Sequence, residues 1–393
     1  MKSSALPEPN PPDTADRLPS RQIAAIHALF LMTGMGAMLL GPLLPSLAAQ
    51  WHLRDQQTGL LIAAQFLGSF VGSTTLRPRL KSDLAHACLA LALGFAGLAL
   101  AAARTTGFGP GLAALVLIGF GLGRGITAIN LIAGSRIRRR RASALALLNF
   151  TWGLGAVFGP ASVAFFADTV KAPGIAAGFA VAVTGLSLTL WRLIPEGSRS
   201  NGDSARSPLR LASSLAGLIY FGWLFFFYGG LEAGASGWLS LFTIRSTHGT
   251  LREGATVASF LWIGLTAGRA IASLLLLRLG ERPVFCAGIL LAAAGSVLLA
   301  LVHSESLLIG LAIVIGLGLA PAFPALCSLL MATPRHPRHA GSVLASSSLG
   351  GALFPWLIGV VSQQTGSWRM GLSVPLSLAL ALVLLVALPA QNA

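Results

Sequence analysis

The chain has 393 residues, 54% of them hydrophobic and 10% charged, with a formal net charge of +15. Soluble domains carry about 25% charged residues, so this composition excludes a water-soluble fold. The basic excess suggests nucleic acid only if it is gathered into a patch, and its placement along the chain says otherwise.

Residues 1–21 are polar and proline-rich and are expected to form a disordered tail, with no apolar core of the kind a cleaved signal has. Beyond them, twelve apolar runs are long enough to cross a bilayer as helix, which takes about 20 residues. They cover 23–49, 57–76, 84–103, 108–133, 143–167, 173–194, 213–243, 254–277, 283–302, 306–332, 340–363 and 370–389. With the N-terminus in the cytoplasm, nineteen of the 27 lysines and arginines fall on the cytoplasmic side and six on the other. Arg124 and Arg269 fall inside spans. This asymmetry predicts an inner (plasma) membrane protein with both termini cytoplasmic. The run Arg136–Arg141 then reads as an anchor near lipid headgroups rather than a nucleic-acid patch.

In the first half, the second span holds Gln65 and the glycine pair Gly68 and Gly72, and it is followed by Arg77 and Arg79. The fourth span reads GLGRGITAIN and contains Arg124 and Asn130, and the fifth contains Asn149, Trp152 and GAVFGP. Side-chain amides both donate and accept, so they suit hydroxylated ligands as well as helix contacts. A Ser/Gly/Arg-rich break at 195–212 has linker composition. It divides the chain into an N-terminal half, 22–194, and a C-terminal half, 213–393.

The seventh span reads FFFYGGLEAGASGWLSLF and holds Glu232, while the other eleven acids lie in tails, loops or span ends. A charge in hydrocarbon costs at least ~2.5 kcal/mol on insertion scales, so an acid there is a candidate site for substrate hydroxyls or for a coupled proton, against a structural hydrogen bond. Gly229, Gly230, Gly234 and Gly237 are expected to weaken the helix locally. Tyr228 and Trp238 offer flat faces with a polar edge for stacking on a ring. Arg124 is a further candidate for substrate or for pairing with Glu232. Phe323 and Pro324 are expected to break the tenth span near the site. Cys88, Cys286 and Cys327 have no metal or disulfide spacing, and no cofactor or metal is expected.

Three matches relate the halves. IGFGLG from Ile118 corresponds to IGLGLA from Ile315, Gly68/Gly72 to Gly264/Gly268, and GAVFGP from Gly155 to GALFP from Gly351, at offsets of 196 or 197 residues. An even number of spans per half makes this a parallel repeat, with a site near the midplane between the halves.

LLGPLLPSLAAQWHLRDQQTGLL, LLNFTWGLGAVFGP, FFFYGGLEAGASGW and GLGLAPAFPALCSLL resemble the major facilitator superfamily, and within it the fucose–galactose–glucose type sugar permeases. The resemblance implies an all-α fold of twelve transmembrane helices in two pseudo-symmetric six-helix halves. It implies a secondary transporter that works by alternating access on a small, sugar-like solute, expected as a monomer. From the residues, Glu232 is the candidate carrier of a coupled proton, with passive uniport as the alternative. Residues with binding roles are then Glu232, Tyr228, Trp238, Asn149, Trp152, Gln65, Asn130, Arg124 and Phe323. Arg269, Gly72 and Arg77 resemble gating and interface positions. The loop GSTTLRPRLKSD departs from the superfamily pattern, having no acid directly after Gly72, and neither the first nor the fourth span carries the carboxylate of the fucose-type symporters. An exporter of drugs, lipids or other amphiphiles on the same fold is the alternative. A membrane-embedded enzyme has little support, since no second acid or histidine pair accompanies Glu232 inside the spans.

Overall fold

A computed structural model describes residues 20–76, 80–136, 141–193, 215–276, 278–332 and 340–387. Most of the expected tail and the whole expected linker lie outside this set, as does Arg77. The described residues form helices α1 (Ser20–Met38), α2 (Leu40–Gln50), α3 (Asp55–Thr74), α4 (Leu80–Ala102), α5 (Phe108–Arg136), α6 (Arg141–Phe166), α7 (Ala172–Leu193), α8 (Leu215–Thr247), α9 (Leu251–Leu275), α10 (Glu281–Leu299), α11 (Glu305–Leu319), α12 (Ala322–Ala332), α13 (Ala340–Thr365), α14 (Trp368–Gly371) and α15 (Ser373–Ala387).

Three consecutive pairs, α1–α2, α11–α12 and α14–α15, each make one span, so the fold is all-α with twelve spans. Eleven are apolar enough to cross a membrane by composition alone. The twelfth, α3, carries Gln56, Gln57, Gln65, Ser69 and Ser73. It packs between α5 of its own half and α13 of the other, so it needs less lipid-facing surface. Consecutive spans alternate in direction. One end of the bundle gathers the starts of α1, α8 and α13 and is called here the linker end; the other is the opposite end.

The bends have local causes. Pro42 has no N–H to return to the Met38 carbonyl, and the first span breaks at Leu39. Gln65 Nε2 donates to the Ala37 carbonyl at 3.1 Å, satisfying a backbone acceptor beside that break. In the tenth span the break lies at Ala320–Pro321, three residues earlier than expected, and Pro324 falls in the first turn of α12, where its missing N–H is harmless.

The seventh span corrects the expectation of a weakened helix. α8 runs unbroken for 33 residues, about 50 Å at 1.5 Å per residue. Its glycines serve close approach. A methyl at Gly229 would lie 2.1 Å from the Ser347 carbonyl oxygen, and one at Gly230 would lie 2.1 Å from the Phe354 ring. In lipid, where apolar surface alone gives helices no reason to associate, small residues let backbones meet.

The same contacts reveal the internal repeat. Gly34 abuts the Trp152 carbonyl and Gly155 that of Leu31, joining α1 to α6. Gly229 abuts the Ser347 carbonyl and Gly350 that of Phe226, joining α8 to α13. All four positions recur 195 residues later, so the structural partner of Gly155 is Gly350, one residue from the Gly351 that the motif suggests. Gly68 against Val116 and Gly264 against Ile313 repeat in the same way between α3·α5 and α9·α11.

The halves meet along α3·α13 and α6·α9, with α2 against α8. Their polar links gather at the opposite end. Arg245 donates to both Asp55 oxygens, at 2.9 and 2.5 Å, and the Ser362 hydroxyl donates to the same carboxylate. The Gln56 N–H donates to Gln363 Oε1 at 3.2 Å, and Arg252 pairs with Asp168.

Candidate functional site

Glu232 sits deep among the helices of the C-terminal half and keeps part of its surface open. On a helix, residues three and four apart share a face, so Phe225, Tyr228, Glu232 and Ser236 form one stripe along α8. Tyr228 stands one turn before Glu232 on this face, and its side chain is buried. The cation whose field reaches both groups is Arg269 of α9. Trp262, Thr266 and Arg269 in turn form a stripe on α9, antiparallel to that of α8. The third wall is α12: Phe323 meets Phe225 at 5.8 Å and Tyr228 at 6.2 Å between ring centroids, and Cys327, one turn on, also lies in the field of Arg269. Phe323 remains 37% exposed although both its ring partners are buried, so it borders an open cleft.

The N-terminal half closes this region through α6. Trp152 and Trp262 meet edge to face across the half-interface at 5.9 Å, and Gly153 faces Thr266. Trp152 Nε1 and Thr266 Oγ1 are buried with no hydrogen-bond partner among the described residues. An unpaired buried polar atom costs ~1–3 kcal/mol, so two of them on adjoining helices mark a place where a ligand or water would be held. On the opposite-end side of Glu232 lies a cavity of about 30 Å³, bordered by Gly41, Ile62, Gln65, Ser236, Gly237 and Trp262. It has room for one or two waters.

The remaining candidates are placed as follows. Trp238, expected to offer a ring to substrate, is fully enclosed: its indole donates to the Pro355 carbonyl at 2.9 Å and stacks on Phe242, fastening α8 to α13. Gln65 borders the cavity while bonded to the Ala37 carbonyl. Asn130 donates to the Ile126 carbonyl of its own helix at 2.9 Å. Asn149 is exposed towards the linker end of α6. Gly72 meets the Phe120 carbonyl, an intra-half contact.

Arg124 does not reach Glu232. Its Nε and Nη2 donate to Asp83 at 3.1 and 2.7 Å and its other contacts are with Thr75, while the guanidinium lies 5.2 Å from the Phe120 ring. Asp83 stands at a span end as expected, in the first turn of α4, but it is buried there as the counter-charge of a buried arginine. The signal for it was physical rather than periodic: a buried Arg124 needs an acid at the same depth, and Asp83 is the acid at that end of the N-terminal half. Thr266 had no sequence signal, being an ordinary threonine in an apolar helix.

The Major Facilitator Superfamily profile matches residues 26–276. No curated protein sequence matches the chain significantly. Among solved structures, a D-xylose–proton symporter superposes with a TM-score of 0.75 at 13% identity, covering 92% of this chain and 96% of its own. The nucleoside transporter NupG, in a point-mutant form, gives 0.72 at 15% identity, covering 93% and 100%. A bacterial homologue of the human lysosomal transporter Spinster, in an inward-facing and unoccupied conformation, gives 0.69 at 16%, covering 94% and 95%. Twelve spans in two repeated halves, a polar site deep in the C-terminal one, and a profile match over more than half the sequence lead to one conclusion: the chain belongs to the Major Facilitator Superfamily.

Proposed function

We propose that the protein is a secondary transporter of a small hydroxylated solute, a monosaccharide, with Glu232 as both hydroxyl acceptor and proton carrier. The observation that carries this reading is the grouping of Glu232, Tyr228 and Arg269 beside the open face of Phe323. An acid inside a membrane helix, one turn from a phenol and in the field of a cation, is placed to exchange a proton when the cleft is wetted. The aromatic wall suits one face of a sugar ring. The D-xylose–proton symporter and the nucleoside transporter NupG carry hydroxylated ring solutes on the same fold. The distribution of basic residues supports a cytoplasmic linker end in the inner (plasma) membrane. With the opposite end locked by Asp55, Arg245 and Ser362, the described conformation then opens inward.

The test is uptake of labelled hexoses and pentoses into proteoliposomes, with an inward proton gradient imposed and then collapsed. Gradient-dependent accumulation of one sugar is the expected result. Glu232→Gln should abolish accumulation while keeping exchange, whereas a purely binding role for Glu232 loses both. An exporter of amphiphiles is the second reading, favoured by the apolar side of α8, where Phe226 and Phe227 pack on Phe354. Absence of sugar uptake under either condition would make it the first.

A further inference from the structure

Arg269 lies part-buried on the site-facing stripe of α9, yet among the described residues its guanidinium makes no hydrogen bond and has no carboxylate within 4.0 Å. The three ion pairs of the described residues use the other buried or gating arginines: Arg124 with Asp83, Arg245 with Asp55, and Arg252 with Asp168. Glu232 acts on Arg269 through space, at more than ion-pair distance. An arginine at this depth normally has its planar fork filled. One turn away on the same face of α9, Thr266 Oγ1 is buried without a hydrogen-bond partner among the described residues, as is Trp152 Nε1 on the adjoining α6.

We infer that the solute carries a carboxylate, and that Arg269 is the residue that binds it, with Trp152 and Thr266 receiving the hydroxyls of its carbon body. This rests on the site reading just given and narrows its substrate class from neutral sugars to sugar acids, uronates or aldonates. The scarcity of polar groups supports it. A neutral sugar needs many donors and acceptors to replace its hydration, while a carboxylate is held by one bidentate arginine. The charge balance follows. The groups acting on Glu232 are Arg269 of α9 and Tyr228 of its own helix, with Cys327 of α12 in the same field as Arg269. When the carboxylate reaches Arg269, a second anion at Glu232 is repelled, and Glu232 takes a proton from the cytoplasmic or external water. One solute anion and one proton cross together, and no net charge moves.

The experiment uses the full chain in proteoliposomes with labelled D-glucuronate, D-gluconate, D-glucose and D-xylose. Accumulation is driven either by a pH gradient alone or by a potassium diffusion potential alone. The expected result is accumulation of a sugar acid under the pH gradient, unchanged by the potential. Arg269→Gln should then lower its exchange at least about tenfold, the loss of one charge-assisted hydrogen bond or more. Arg269→Lys, which keeps the charge without the fork, should raise the half-saturation concentration by about tenfold and serves where the glutamine variant does not fold. Uptake of D-glucose or D-xylose that responds to the potential, with both acids excluded, overturns the inference and leaves the monosaccharide reading standing. Transport of none of the four overturns both.

Discussion

The bond network at the opposite end makes a quantitative prediction about the resting conformation. Asp55 accepts from both nitrogens of Arg245 and from Ser362, tying α3 of one half to α8 and α13 of the other. Asp55 is 16% exposed and Arg245 30%, so the pair is screened less than a surface bridge and more than a buried one. Charge-assisted hydrogen bonds contribute ~1.5–3 kcal/mol, and the partial exposure brings the expected loss on Asp55→Asn to about 1.5 kcal/mol, since asparagine keeps one acceptor. At ~1.4 kcal/mol per decade, the ratio of states open to closed at this end should rise about tenfold. The Arg252–Asp168 pair cannot compensate, because both side chains are more than half exposed and contribute little. The assay is a double electron–electron resonance distance between spin labels at Gln50→Cys and Gln364→Cys, both exposed at this end, after replacing Cys88, Cys286 and Cys327. Asp55→Asn should add a longer-distance population, Ser362→Ala a smaller one, and exchanging the charges at positions 55 and 245 should restore the short distance. A change of less than twofold in Asp55→Asn would refute the idea that this network holds the end shut.

Other expectations concern packing and the orphan atoms. Asp83→Ala leaves Arg124 buried without its counter-charge and should cost ~3–5 kcal/mol, seen as lost yield of folded protein. The double variant Asp83→Ala/Arg124→Leu should be less destabilised than Asp83→Ala alone. Gly229→Ala drives a methyl into the Ser347 backbone and should cost ~1–3 kcal/mol by thermal unfolding. Gly222→Ala, on the same helix with open space around it, should be neutral or stabilise by ~0.5–1 kcal/mol. Trp152→Phe and Thr266→Val remove buried polar atoms that have no partner, so melting should stay level or rise, while the half-saturation concentration for the transported solute rises. A fall in melting temperature comparable to that of Gly229→Ala would assign both residues to packing instead.

What the sequence discloses depends on how local the controlling physics is. The spans are legible because a bilayer sets a length and an apolarity that every crossing helix must meet, and their ends fall within a few residues of the observed helices. That the tenth span breaks near a proline is legible for a local reason as well, although the break falls at Ala320–Pro321 and not at Phe323–Pro324. The glycines of α8 mislead because propensity describes an isolated helix. In lipid, Gly229 and Gly230 are chosen for what they touch on α13, a partner more than a hundred residues away. Asp83 is hidden by a shorter separation that is still far beyond one helix, 41 residues from the arginine it neutralises. Trp238 reads as a ring for ligand because its neighbours are glycines, while the Pro355 carbonyl that fixes its orientation cannot be seen from that stretch alone.

The repeat sharpens why the chemistry lies in one half. At the 195-residue offset that relates α1 to α8, Glu232 corresponds to Ala37 and Tyr228 to Thr33, and at the 197-residue offset of α5 to α11 and α12, Arg124 corresponds to Pro321. Each half thus places its irregularity where the other is regular. The N-terminal half bends α1 at Leu39, beside the Ala37 carbonyl that Gln65 satisfies, and keeps α5 straight around a neutralised arginine. The C-terminal half keeps α8 straight, carries the acid on it, and breaks the tenth span beside Phe323. The glycine contacts that hold each half together are duplicated, so the frame tolerates this divergence. A charge in hydrocarbon is expensive wherever it stands, and Arg124, held by Asp83 and Thr75, leaves no unfilled donor fork in its half. Arg269 does leave one, on the α9 stripe whose field reaches the acid. The asymmetry therefore separates an arginine that stabilises a half from one left open to a solute.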